Sequence, residues 1–346
     1  MCLPVVVTLM LLSSQAPAPA APAVDNETCL SCHADPALSV KARDGTAIAL
    51  HVKADALAQS VHAKIACAEC HTAMTELPHP ERTFANRREL SVSFDVQCRR
   101  CHFANYTRTL DSVHQAAVAR GDRTAPVCVD CHGSHDVKRA AGQRAAVSQT
   151  CATCHEGVAN TYKNSVHGRA LTQGNTDVPV CIDCHNSHAV AGPRQAAWEL
   201  RTPELCGSCH ANAAVMGKYG LSTKVLSTYL TDFHGKTAAL RSHQGATATG
   251  GVVARCTDCH GVHDIQKAND AASPVIQANL LKTCRQCHAD ATANFPAAWL
   301  SHYEPGLHKA PLVYAVKVGY AVLIPFMVGG LGLQILLHLW RLMANR

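Results

Sequence analysis

The chain has 346 residues with nineteen cysteines and twenty-two histidines, yet only 5% aromatic and 16% charged residues, too few large side chains to fill two ordinary domain cores. Such a composition argues against a plain α/β enzyme, and nineteen thiols exclude a reduced cytosolic globule unless each is held by a metal or a covalent group. The formal charge of +6 is spread out with no Lys/Arg block, so no nucleic-acid partner is expected.

Residues 1–23 read as a secretory signal peptide: an apolar run from Met1 to Ser14, then alternating Ala and Pro, with cleavage expected between residues 21 and 24. No Lys or Arg precedes the run, and an uncleaved anchor is the alternative. Cys2 has no lipobox before it and is given no role.

Residues 24–308 form the exported body, where Cys-x-x-Cys-His recurs nine times. The cysteine pairs are Cys29 and Cys32, Cys67 and Cys70, Cys98 and Cys101, Cys128 and Cys131, Cys151 and Cys154, Cys181 and Cys184, Cys206 and Cys209, Cys256 and Cys259, and Cys284 and Cys287. The histidines that follow them are His33, His71, His102, His132, His155, His185, His210, His260 and His288. Two thiols at this spacing add across the two vinyl groups of haem, and the adjacent histidine becomes the proximal iron ligand. Zinc ribbons also use Cys-x-x-Cys, but they do not need a histidine after every second cysteine. Chance would place one there nine times in roughly one chain in 10¹¹. Nine covalent c-type haems are expected.

Thirteen histidines lie outside the motifs, and nine of them recur in phase with the motifs. One set stands ahead of a motif in a Ser-Val-His or related phrase: His62, His114, His167, His234 and His302. Another lies three residues after a motif: His135, His188 and His263. The first repeat lacks this second histidine, and His79 in Leu-Pro-His-Pro is its substitute. The repeat is thus motif, Ser-Val-His, a second motif with an acid before its second cysteine (Glu69, Asp130, Asp183, Asp258), then x-x-His. Repeats start at Cys29, Cys98, Cys151 and Cys206, and a final half-repeat starts at Cys284. These nine histidines are the expected distal ligands, making every iron six-coordinate. Which one serves which haem is left open, with His51 in reserve and His243, His308 and His338 unassigned.

The body offers about 32 residues per haem, so packed porphyrins should form its core. The expected fold is mainly α with much irregular loop, short helices at or after the motifs, and few strands. The stretch from Asn212 to Ala254 is the longest motif-free insertion, and its Gly/Ser/Thr-rich part reads as a surface loop. Each haem adds two propionates and, when ferric, one positive charge, which moves the net charge to about −3 oxidised and about −12 reduced.

Residues 309–346 read as a membrane anchor with a short tail. From Val318 to Leu337 the chain has no charge and only Gln334 is strongly polar, which is enough to span a bilayer. Flanking charges are balanced, with Lys309 and Lys317 before the run and Arg341 and Arg346 after it, so they do not orient it. Export of the body does, placing the haem domain in the periplasm and the anchor in a bacterial inner membrane. His338 near the inner end is either an interfacial residue beside Trp340 and Arg341 or a contact with a redox group of a partner.

The motif array resembles the multihaem cytochromes c, and the paired repeat is similar to their low-potential bis-histidine members. The C-terminal stretch is similar to the anchor of multihaem cytochromes associated with a membrane cytochrome b in quinol/quinone redox complexes. It runs from Trp299 to Pro305, through Pro311 to Tyr314 and Ile324 to Leu331, to Leu336 to Arg341. That resemblance implies an electron-transfer subunit with no catalytic residue of its own, whose partners are a cytochrome b or other quinone-linked membrane subunit and periplasmic or outer-membrane cytochromes. A single span leaves quinone chemistry to a separate subunit. The alternative is a multihaem reductase or oxidase of a small nitrogen or sulfur oxyanion, or of hydroxylamine, which requires one iron with an open position. All nine motifs end in histidine, and spare histidines suffice to close every iron, so electron transfer is the expected function.

Overall fold

A computed structural model describes residues 25–74, 76–140, 142–192, 201–244, 253–298 and 302–345. The signal-peptide reading of residues 1–23 and the Gly/Ser/Thr-rich stretch 245–252 lie outside these residues. The fold is about 54% helical, built mostly of short helices joined by irregular turns. The described strands are one antiparallel pair, Ser39–Lys41 with Ala47–Ala49.

The chain divides into two compact units. The first contains the described residues up to Leu110 together with His114–Gly142, and the second contains Asp111–Val113 and the described residues from Gln143 onward. In the first unit a small apolar cluster joins Ala42, Ile48 and Phe84, with Val40, Leu50 and Leu90 packed against it. Among the described residues only nine apolar side chains are buried, and four of these are alanine. The described residues thus form no side-chain core of ordinary size, in line with the composition.

The two motifs of each repeat fold differently. First motifs close a helix: Asn26–His33, Arg87–Cys101, Arg144–Ala152, Thr202–His210 and Gln277–Cys284. Second motifs are one-turn helices of their own: Cys67–Cys70, Cys128–His132, Cys181–His185 and Cys256–His260. A one-turn helix has few internal hydrogen bonds and needs help at its start. The acid before the second cysteine supplies it: the Val127, Val180 and Arg255 amides donate to Asp130, Asp183 and Asp258 at 2.6, 2.6 and 2.8 Å. Each of these carboxylates also pairs with an arginine: Asp130 with Arg88 and Asp183 with Arg144, both at 2.6 Å, and Asp258 with Arg255 at 3.1 Å.

The insertion after Asn212 is helical over most of its described length, with Ala213–Met216, Val225–Thr231 and Phe233–Gln244. Tyr229 and Met216 are buried there. Its last described helix carries His234, one of the expected distal ligands. The C-terminal helix, Pro311–Ala344, has 34 residues and none of its most apolar stretch is buried in the protein. At 1.5 Å per residue it is about 51 Å long, beyond the roughly 30 Å of a hydrocarbon core.

Candidate functional site

Two imidazoles on opposite faces of one iron have their ring centres about 6 Å apart, since each nitrogen lies about 2 Å from the metal and about 1.1 Å from its own ring centre. Seven motif histidines meet a repeat-placed histidine at this spacing. In the first unit the pairs are His33 with His79 (6.0 Å), His62 with His102 (6.0 Å) and His71 with His135 (6.0 Å). In the second they are His167 with His210 (6.2 Å), His185 with His263 (6.0 Å), His234 with His288 (6.3 Å) and His260 with His302 (6.1 Å). The spacing fits bis-histidine haem at each of these sites. His114, His132, His155 and His188 hold the equivalent places in the central repeats, and none of the four is without a partner. His51 and His308 belong to none of the seven pairs.

The pairs follow a rule that the sequence leaves open. A Ser-Val-His histidine of one repeat faces the first motif of the next repeat, as His62 does His102, His167 does His210 and His234 does His288. A post-motif histidine faces back to the second motif of the preceding repeat, as His135 does His71 and His263 does His185. The ends of the array have no neighbour to borrow from. There His79 faces His33, and His302 of the last half-repeat faces His260.

Backbone bonds tie the two crossing segments together. The Val61 amide donates to Val137 O at 2.9 Å, Val113 to Val190 O at 3.0 Å and Val166 to Ile265 O at 2.7 Å. In each case the residue before a Ser-Val-His histidine is held to the residue two after a post-motif histidine. The serine of the phrase is a buried cap: Ser165 Oγ accepts from Gly168 N at 3.0 Å, and Ser60 Oγ accepts from His62 N at 3.2 Å. Asp232 does the same for Gly235 N at 2.8 Å. The glycine after the histidine is required at two of these turns. A Cβ at Gly168 or Gly235 would lie 2.0 Å from the carbonyl oxygen of Tyr162 or Tyr229.

The post-motif histidine is aimed by a reversal directly after the second motif. Gly133, Asn186 and Gly261 all take positive φ, at 71°, 63° and 82°, and asparagine is among the few non-glycine residues that enter this half of φ space readily. Asn186, with ψ 173°, sits in a region that glycine alone occupies without strain.

Seven of the paired histidines are buried in a way that favours the neutral form, the form that can bind iron. Burial pushes His71, His167 and His260 down to about 4, with neighbouring histidines adding to the effect. It also lowers His135, His210, His263 and His302. The Nδ1 atoms of His33 and His185 lie 2.9 and 3.3 Å from Leu50 O and Ala191 O, a contact that leaves Nε2 for the metal.

The cysteines of consecutive motifs also meet. Within a repeat the two first cysteines are hydrogen-bonded: Cys29 with Cys67, Cys98 with Cys128, Cys151 with Cys181 and Cys206 with Cys256. This bond brings the Cys98 thiol down to about 7 and Cys181 to about 6. Between repeats, Cys70 lies by Cys98 and Cys101, Cys184 by Cys209, and Cys259 by Cys284 and Cys287. Within each unit the attachment points therefore follow one another in chain order.

Residues 114–160 and 172–215 match the family model described as a doubled CXXCH motif. The doubled motif indicates a multihaem cytochrome c. Comparison with curated proteins and with solved structures gives no match. The paired motifs indicate covalently bound haem c and support a part in electron transfer. Haem held by the motif cysteines would supply a ferric–ferrous couple, and the paired histidines are the residues that would hold its iron.

Proposed function

We propose that this cytochrome is a membrane-anchored electron relay with nine covalent bis-histidine haems. It passes electrons between a quinol- or quinone-linked membrane cytochrome b and periplasmic or outer-membrane redox partners. The observation that carries this reading is the set of seven histidine pairs at 6.0 to 6.3 Å. An iron with both axial positions filled exchanges electrons but binds no substrate. Chain-order adjacency of the motif cysteines supports a wire along which electrons step between neighbours. The 34-residue apolar helix supports the anchor, and the signal-peptide reading of residues 1–23 supports a periplasmic body.

Expression in a host that matures c-type cytochromes tests the reading. The mature protein should carry nine haem masses, fractionate with membranes, and be reduced by quinol only with a cytochrome b partner present. A soluble protein, or one that consumes nitrite or hydroxylamine at a high-spin iron, would favour the reductase reading instead.

A further inference from the structure

Angles between the paired imidazole planes fall into two groups with nothing between them. His62–His102, His167–His210 and His234–His288 are tilted at 50°, 52° and 49°. His33–His79, His71–His135, His185–His263 and His260–His302 are near parallel at 20°, 16°, 22° and 22°. The division tracks the structure that presents the distal histidine. Every tilted pair draws it from a turn capped by Ser60, Ser165 or Asp232, two residues before the histidine. In the helices Val166–Thr172 and Phe233–Gln244 that places it at the second position. In every near-parallel pair the residue two before the distal histidine is Leu77, Gly133, Gly261 or Leu300, none of which carries a side-chain acceptor. A capped turn fixes the local backbone and with it the direction of Cα–Cβ and the χ1 choices open to the histidine, so the cap sets the ring plane as well as the ring position.

We propose that the haem irons form two electronic classes, a tilted class at first motifs fed by a capped Ser-Val-His or Asp-Phe-His turn and a near-parallel class at the other described sites. The proposal rests on the six-coordinate reading above. Each imidazole donates π density into the iron d orbital perpendicular to its plane. Parallel planes raise the same orbital and split the pair; crossed planes raise both and leave them close. The splitting falls as the cosine of the angle between planes, so 50° keeps about two-thirds of what 20° gives. A larger splitting stabilises the ferric state, in which the hole sits in the upper orbital. From Cys181 to Cys287 the sites are near parallel, tilted, near parallel and tilted in chain order, so the two classes alternate along that part of the wire.

Low-temperature EPR of the fully oxidised, haem-loaded full chain reads the classes directly. A near-parallel iron gives a rhombic low-spin signal, and a tilted one gives a more anisotropic signal with its edge at lower field. The expected spectrum holds both, with at least three irons in the lower-field component and at least four in the rhombic one. His167→Ala should remove one iron from the lower-field component, and His263→Ala one from the rhombic component. A homogeneous low-spin spectrum, or loss from the same component in both variants, would overturn the proposal while leaving the six-coordinate reading intact. A high-spin signal in the unaltered protein would overturn that reading and the proposal with it.

Discussion

His167→Ala tests the crossing of ligands between repeats. His167 stands between the third repeat's own motifs, Cys151–His155 and Cys181–His185, but its ring lies 6.2 Å from His210, in the first motif of the fourth repeat. Removing the imidazole should leave all haems attached, because attachment is through cysteine sulfur, and should open the iron held by His210. Of nine irons one becomes five-coordinate, so a carbon monoxide titration of the reduced protein should give a bound fraction of about one-ninth. The partner is then identified by a double variant. If His167 and His210 hold the same iron, His167→Ala with His210→Ala still opens only one site, and the bound fraction stays at about one-ninth. If they serve different irons it doubles. Intact mass confirms that nine haems remain in each variant. A fraction of about two-ninths in the double variant, or none in the single one, would refute the crossed ligation.

The cap and the close approach that hold this turn have their own expected costs. Ser165→Ala removes the Oγ that accepts from Gly168 N and should cost about 1 kcal/mol in denaturant unfolding, with haem content unchanged. Gly168→Ala places a Cβ 2.0 Å from Tyr162 O, backbone that cannot step aside, and should cost roughly 1–3 kcal/mol by the same measurement. Asn186→Gly should stabilise by about 1 kcal/mol, since φ 63° with ψ 173° is strained for any other residue; a loss of stability would show that the asparagine side chain matters more than its backbone. Acid should destabilise: His71, His167 and His260 are depressed from about 6.5 to about 4, so the unfolded chain binds more protons across that window and stability falls as pH drops through it. A stability curve flat between pH 6.5 and 4 would contradict the burial of these rings.

Much of the site can be read from the residues alone, because haem attachment is written in contiguous sequence. The cysteines and proximal histidines need no fold to be recognised. Seven of the nine repeat-placed histidines, His79 among them, stand at ligand spacing from a motif histidine. What the sequence hides is partner choice. His62 is closer in sequence to Cys67 than to Cys98, yet its ring lies 6.0 Å from His102 of the following repeat, with Val61 bonded to Val137 there. The role of the acid before the second cysteine is similarly local in sequence but visible only as a bond to the preceding amide. The insertion at Asn212 reads as motif-free, yet its helices place His234 opposite His288, a long-range pairing that periodicity does not encode. Ring tilt is further still from the sequence, since it depends on the backbone on either side of each ligand.

Spin quantitation of the oxidised full-length protein by EPR tests the central claim most directly. Nine low-spin ferric irons per chain with no high-spin signal is the result expected of a relay whose irons all carry two histidines. A high-spin signal integrating to one iron or more per chain would contradict it, since that iron would have a position open to substrate.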